Sequence, residues 1–183
     1  VPVVVFGLSY ANVKFFHQTQ KEGRHQNVLS LSLLGILFNF VVFTGLFLLF
    51  HYVFPEYKQE EWWKLKYIIL LLVLVLSISH VLNRYVSNFK RIVVPNIFEN
   101  IFPKLANLGA FCLFIFFGMS QPSAFGFFFA MFVMSTVGYF VYANSLEKIK
   151  PDFSTAYVKK DALWKDILNY SFFGFLGNIG NYI

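Results

Sequence analysis

Charge is scarce in this chain. Only 13% of its residues are Asp, Glu, Lys or Arg, against about 25% in an ordinary soluble domain. With 57% hydrophobic residues, so few charges leave too much apolar side chain for one small core to hide. Lipid must therefore be the solvent for much of the surface. Cysteine is nearly absent: Cys112 stands alone in an apolar run, so no disulfide framework is possible. There is no phosphate-binding Gly-Lys loop, no Cys/His metal spacing and no His-Glu-x-x-His. No Ser-His-Asp arrangement can be assembled from sequence, which carries no proximity. Nothing argues for catalysis, and no cofactor or metal is expected. A charged n-region with a cleavage site is also missing. The chain opens on VPVVVF and stops in NIGNYI, both in mid-hydrophobic sequence, which reads as an internal fragment of a longer membrane protein.

What the chain has is apolar length. Four stretches stand out: Val28–Phe54, Tyr67–Asn83, Asn96–Gly118 and Ser123–Ala143. A hydrocarbon core about 30 Å thick takes about 20 residues of helix. The basic residues between the stretches fall on alternate sides. Lys14, Lys21 and Arg24 precede the first, and Arg84, Lys90, Arg91 and Lys104 follow the second. Lys148, Lys150, Lys159, Lys160 and Lys165 follow the fourth. These twelve share one side, against Lys58, Lys64 and Lys66 on the other. That is the positive-inside pattern of a multi-pass protein of the cytoplasmic membrane. The net charge of +6 is then explained by topology and anionic headgroups, and no nucleic-acid partner is expected. The fold class this predicts is all-α, a polytopic transmembrane helical bundle.

The spans differ in character. Val1–Phe16 reads as the end of a span descending to the cytoplasm. Trp62 and Trp63 sit where an interfacial anchor would. Tyr67–Asn83, rich in Ile, Leu and Val without Gly, is expected to face lipid strongly. The next span carries Pro95, Glu99, Asn100, Pro103, Lys104 and Asn107. Proline removes a backbone donor and kinks a helix, which a bilayer tolerates where neighbours or a wet cavity satisfy the freed carbonyls. Gly126, Ser135 and Gly138 suit close helix contact. DALWKDILNY, with Leu163, Ile167 and Tyr170 on one side, fits an amphipathic helix on the cytoplasmic face.

Asn100, Lys104 and Asn107, at i, i+4 and i+7, share one helix face. Ionisable groups inside a membrane are costly and usually face a bundle interior or an aqueous path. This face would be one wall of a transport cavity, with Lys104 attracting an anionic headgroup. The alternative is that Lys104 snorkels to the interface while the asparagines tie helices together. Glu99 lies about 100° away around the helix, within reach of Arg91 or Lys90. Ser77, His80, Arg84 and Ser87 form a second polar row, either a helix end among headgroups or, through His80, a proton-coupling element. Gly174, Gly177, Asn178 and Asn181 mark the last span, as packing or as pathway lining. The similar Ser32, Gly35 and Asn39 face reads as packing.

The chain resembles the bacterial polysaccharide flippases (O-antigen or exopolysaccharide transporters, Wzx-like) of the multidrug/oligosaccharidyl-lipid/polysaccharide exporter superfamily. The resemblance rests on GLSYANVKFFHQTQKEGRHQNVLSLSLLG and on the kinked SNFKRIVVPNIFENIFPKLANLG. It rests also on the tight turn before the Phe-rich span and the basic segment leading into DILNYSFFGFLGNIGNYI. It implies that residues 1–143 run from the end of helix 2 through helix 6 of an N-terminal lobe. Residues 144–166 would connect two lobes, and 167–183 would begin helix 7. It further implies a transporter in the bacterial inner membrane. The partners would be a lipid-linked oligosaccharide substrate, membrane lipids and other polysaccharide-assembly proteins. A sibling reading is a multidrug cation exporter, which would present acids rather than Lys104 to its cavity. A membrane-embedded glycan polymerase or acyltransferase would need a large outer catalytic loop, which the short connections do not supply. A structural scaffold would leave the kinked polar span unexplained. If the orientation is right, a cysteine at Gln59 reacts with an external membrane-impermeant reagent and one at Lys150 does not; reversed labelling overturns the topology.

Overall fold

The computed structural model describes residues 1–56, 61–91, 93–159 and 162–180, the side chains of 61 and 62 excepted. Every long regular element in them is helical. In chain order these are α1 (Pro2–Val5), α2 (Leu8–Lys21), α3 (His25–Val53), α4 (Glu61–Lys64), α5 (Lys66–Ser87) and α6 (Val93–Asn96). A π-helical turn (Ile97–Ile101) follows, then α7 (Phe102–Phe116), α8 (Gln121–Leu146), α9 (Ala156–Lys159) and α10 (Leu163–Gly180). Three helices are long and apolar enough to cross a membrane: α3, α5 and α8, of 29, 22 and 26 residues. At 1.5 Å per residue even the shortest is roughly 33 Å long, enough for a hydrocarbon core of about 30 Å.

The third apolar stretch is different. Residues 93–116 form α6, the π turn and α7 in sequence. The break lies where the prolines predict it. Pro103 has no N–H, and its ring crowds the carbonyl four residues back, at Glu99. The chain widens just ahead of it, and the Phe102 N–H bonds the Ile97 carbonyl, five residues back. Such wide turns inside helices mark local strain and are frequent at functional sites.

Tyr67–Asn83 does not face lipid strongly. Residues 67–83 belong to α5, which packs against α1, α2, α3, α6 and α8. Val81, Leu82, Tyr85 and Val86 of α5 join Phe16, Leu29, Ile36, Tyr139 and Ala143 in the main core. A run of Ile, Leu and Val suits lipid and protein core equally, so hydropathy could not separate the two. The first span follows expectation. Ser32 is buried, a Cβ on Gly35 would lie 2.9 Å from Leu8 Cδ1, and Asn39 Nδ2 donates to the Val4 carbonyl at 3.1 Å. Of the two tryptophans, Trp63 packs on α3, its ring 3.9 Å from that of His51. The side chain of Trp62 lies outside the described residues.

At one end of the bundle the turn between α2 and α3 meets the segment after α8. Asn27 donates to the carbonyls of Asp152 and Ser154 at 3.0 and 2.9 Å. Gln26 donates to Glu147 and to the Lys148 carbonyl and accepts from the Lys150 N–H. His25 Nε2 lies 2.9 Å from Glu147 Oε2, and Arg24 lies 3.4 Å from Asp152. The Asp152 carboxyl is held below its ordinary value, chiefly by the Ser154 N–H, with Asn27 and Arg24 adding. Its contribution to docking is therefore present above the ordinary carboxylate range and lost as pH falls through the depressed value.

Further on, the described part of DALWKDILNY is helical and runs directly into the last apolar stretch. Residues 163–170 are the first turns of α10, unbroken to Gly180. Leu163 is buried, while Tyr170 is exposed and packs edge-on against Phe15 of α2. Asn27→Ala should loosen residues 147–154 specifically. Two hydrogen bonds worth about 1 kcal/mol each imply that trypsin cuts at Lys148 roughly five- to thirtyfold faster in inside-out vesicles; unchanged cleavage contradicts the docking.

Candidate functional site

The break in the third stretch sets the site. Pro95 is buried, and its carbonyl next to the π turn accepts a hydrogen bond from Tyr139 of α8, 2.9 Å away. The Tyr139 oxygen in turn accepts from Asn83 Nδ2 of α5 at 2.9 Å. The other proton on that amide goes to Glu99 Oε2, also at 2.9 Å. Ser87 donates to the Asn83 carbonyl at 2.9 Å. Both Asn83 amide protons are thus spent on fixed acceptors. Three helical segments are joined through one side chain, and it holds the Glu99 carboxylate in place.

Around this network lies a cavity of about 130 Å³, lined by Ser79, His80, Asn83, Glu99, Ser135 and Tyr139 together with Leu76, Phe98, Pro103 and Phe132. Ser79 and Thr136 hydrogen-bond across its wall. Close packing sets its far side, since a Cβ on Gly138 would stand 2.6 Å from the Phe98 ring. Its lining is more apolar than polar, but the volume admits several waters beside the polar side chains. His80 lies seven residues from the end of α5, roughly 10 Å along the axis. The site therefore sits at membrane depth if α5 spans.

The polar row on α5 divides. Ser77 is buried and bonds its own helix at the Val73 carbonyl, and Ser87 does the same at Asn83. His80 and Arg84 turn outward to Tyr10 of α2. The Arg84 guanidinium carbon lies 5.8 Å from the Tyr10 ring centroid, and the His80 ring meets that ring edge-on at 6.5 Å. The Tyr10 hydroxyl donates to Asn178 Oδ1 of α10 at 3.3 Å. So His80 and Glu99 share one cavity, and His80, Arg84 and Asn178 gather on Tyr10. Gly174 also packs on Tyr10, whereas Gly177 meets nothing. Asn181 lies outside the described residues.

Glu99 pairs with Asn83 and not with Arg91 or Lys90, because the π turn presents it to α5 rather than to the chain that precedes α6. Asn100, Lys104 and Asn107 are all exposed. Among the described residues none of the three makes a side-chain hydrogen bond or ion pair. Ala106 is fully buried and marks the face of α7 that meets α8; Lys104, two residues earlier, lies about 200° around from it. Asn107 borders a separate, largely apolar groove of about 500 Å³ with Phe111, Gln121 and Phe128.

Sequence reasoning missed Asn83, Tyr139 and Tyr10. Asn83 carried a signal, an amide four residues before Ser87 inside an apolar run, but it reads equally as the edge of a span. Tyr139 looks like one more aromatic in a Phe-rich helix. Comparison with known proteins yields no matching family model, no matching curated protein and no matching solved structure. Asn83→Ala should strip the carboxylate and Tyr139 of their donor, at about 1–3 kcal/mol. That corresponds to a melting midpoint in detergent lower by roughly 2–10 °C. Tyr139→Phe should be non-additive with it, by about 0.5 kcal/mol or more; strict additivity would mean the network does not exist.

Proposed function

We propose that this chain belongs to a multi-pass membrane transporter that flips lipid-linked oligosaccharide from the cytoplasmic to the outer leaflet. The observation that carries the reading is the broken span. One segment of apolar sequence holds Glu99, Asn100, Lys104 and Asn107 at membrane depth, and the Pro95 carbonyl beside its π turn is bonded by Tyr139. Lys104 has no described partner, and a lone cation within a bilayer calls for an aqueous path or an anionic ligand. A sugar phosphate supplies the second, while its lipid tail stays among the exposed Phe and Leu side chains. Arg84, set against the Tyr10 ring, is a second cation on the same route, and the amides of Asn100, Asn107 and Asn178 suit sugar hydroxyls. His80 and Glu99, in one cavity, are the groups best placed to couple transport to protons. The side of the membrane follows from the basic gaps, and residues 144–166 become the connection between two lobes.

Glu99 also supports the sibling reading. A carboxylate lining a cavity would suit an organic cation, and a multidrug exporter would use it as the binding charge. The two readings part at two residues. In cells with surface polysaccharide as readout, Lys104→Ala should cut export about tenfold or more at unchanged membrane level, about the 1.4 kcal/mol of one lost charge contact. Lys104→Arg should retain most of it. Normal export by Lys104→Ala removes the residue from the path. Drug resistance lost in Glu99→Gln, with polysaccharide untouched, would favour the exporter.

A further inference from the structure

The π turn is braced on one side by Asn83 and Tyr139, through Glu99 and the Pro95 carbonyl. On its other side, between α6 and α8, runs an apolar groove of about 580 Å³. Val94 and Phe98 form one wall, and Val133, Val137 and Val141 of α8 form the other. Phe98 stands between this groove and the polar cavity and lines both. Its ring packs on Tyr139 at 4.8 Å and on Phe102 at 5.1 Å. Any side of that ring left without neighbours forfeits dispersion contacts, and it does so beside a locally strained turn. The groove also has a direction. From Val133 to Ser145 it follows α8 over twelve residues, roughly 18 Å. That is close to the roughly 15 Å of hydrocarbon in one leaflet.

The end of the groove that the basic gaps assign to the cytoplasm is polar. Tyr142 and the exposed Ser145 line it. Arg91 and Lys90 lie three and four residues ahead of Val94, and both are exposed. Among the described residues neither makes a side-chain hydrogen bond or ion pair. The turn that carries Lys90 is fixed. The Phe89 and Lys90 N–H groups bond the Val86 and Ser87 carbonyls at 3.1 and 3.0 Å, and the Phe89 ring packs edge-on against Phe16 and Tyr85 of the core. The acids of the adjoining segments are turned elsewhere: Glu99 to Asn83, Glu147 to His25 and Gln26. Two cations at the head of an apolar slot one leaflet long match an anionic lipid. A free phosphate would leave the slot unused, and a zwitterionic lipid brings no net charge to the pair. We propose that this groove binds one anionic phospholipid of the cytoplasmic leaflet, its phosphate at Lys90 and Arg91 and an acyl chain along α8 against Phe98. The chain then braces Phe98 from the side opposite the cavity, and the lipid becomes part of what holds the π turn and Glu99 in place. The site uses no cargo, so it does not rest on the transport reading.

The test uses the full-length protein in a mild detergent. The probes are phosphatidylglycerol and phosphatidylcholine with identical acyl chains, and inorganic phosphate. Phosphatidylglycerol should raise the melting midpoint by roughly 3–10 °C. In native mass spectra it should stay bound about tenfold or more over phosphatidylcholine. Lys90→Asn with Arg91→Gln should abolish that preference. Both side chains are exposed, and Lys90 has φ 58°, a conformation asparagine tolerates, so the fold should survive. Val137→Trp, which crowds the groove beside Phe98, should cut retention of phosphatidylglycerol about tenfold or more, about the 1.4 kcal/mol of that fold-change. Equal retention of the two lipids by the parent protein, or of neither, overturns the site. So does an undiminished preference in the double variant. A midpoint raised as much by inorganic phosphate as by phosphatidylglycerol would assign the two cations to a soluble anion and overturn it as well.

Discussion

A bilayer supplies no hydrogen bonds to a broken helix, so each backbone group that a proline frees must find a partner in the protein. In this bundle the helix opens ahead of Pro103, in a π turn that follows Pro95 of α6, and side chains of two other helices close on it. Tyr139 takes up the Pro95 carbonyl, Asn83 takes up Tyr139, and the remaining proton of Asn83 holds Glu99. For that to work α8 must lie close to α5 and to the π turn, which Gly138 and the small Ser135 permit. The chain of bonds fixes the orientation of the Glu99 carboxylate. It is also why the cavity is polar on the α5 side and apolar beyond.

Seen from this network, α5 is the axis of the molecule. It carries core side chains on one face, the Asn83 junction on a second, and His80 with Arg84 on a third. A membrane helix packed on so many sides cannot move independently, so it belongs to the fixed part of any cycle. The mobile candidates are at the edges. The segment after α8 is held down by the polar side chains that open α3, whereas α10 packs on α2 through the Tyr10–Gly174 and Phe15–Tyr170 contacts. Side chains of α5 and α10 meet at Tyr10.

The all-helical class and the positions of three helices long and apolar enough to span were legible in the sequence because length and hydropathy alone decide them. So was the break at the prolines, since a missing N–H is a local fact. The packing role of Ser32, Gly35 and Asn39 was legible for the same kind of reason: small and polar residues on one face have few other uses in an apolar helix. What could not be read was which apolar face meets protein. Tyr67–Asn83 looked lipid-facing because Leu and Val carry no label for their neighbour. Asn83, Tyr139 and Tyr10 were invisible as a group because their partners lie 16, 56 and 168 residues away in sequence. The pairing of Glu99 with Asn83 depends on the extra residue in the π turn, which shifts every side chain around it.

The central claim is that the broken span lines a wet, cargo-bearing path rather than packing against lipid. Reactivity of a cysteine at Asn107 toward a small hydrophilic thiol reagent, in membranes and on the Cys112→Ser background, tests it most directly, with a cysteine at the exposed Val141 of α8 as the lipid-facing control. The account predicts that Asn107→Cys reacts at least tenfold faster than Val141→Cys and slows when a lipid-linked oligosaccharide is added. Equal, negligible reactivity at both positions would place the span in lipid and contradict it.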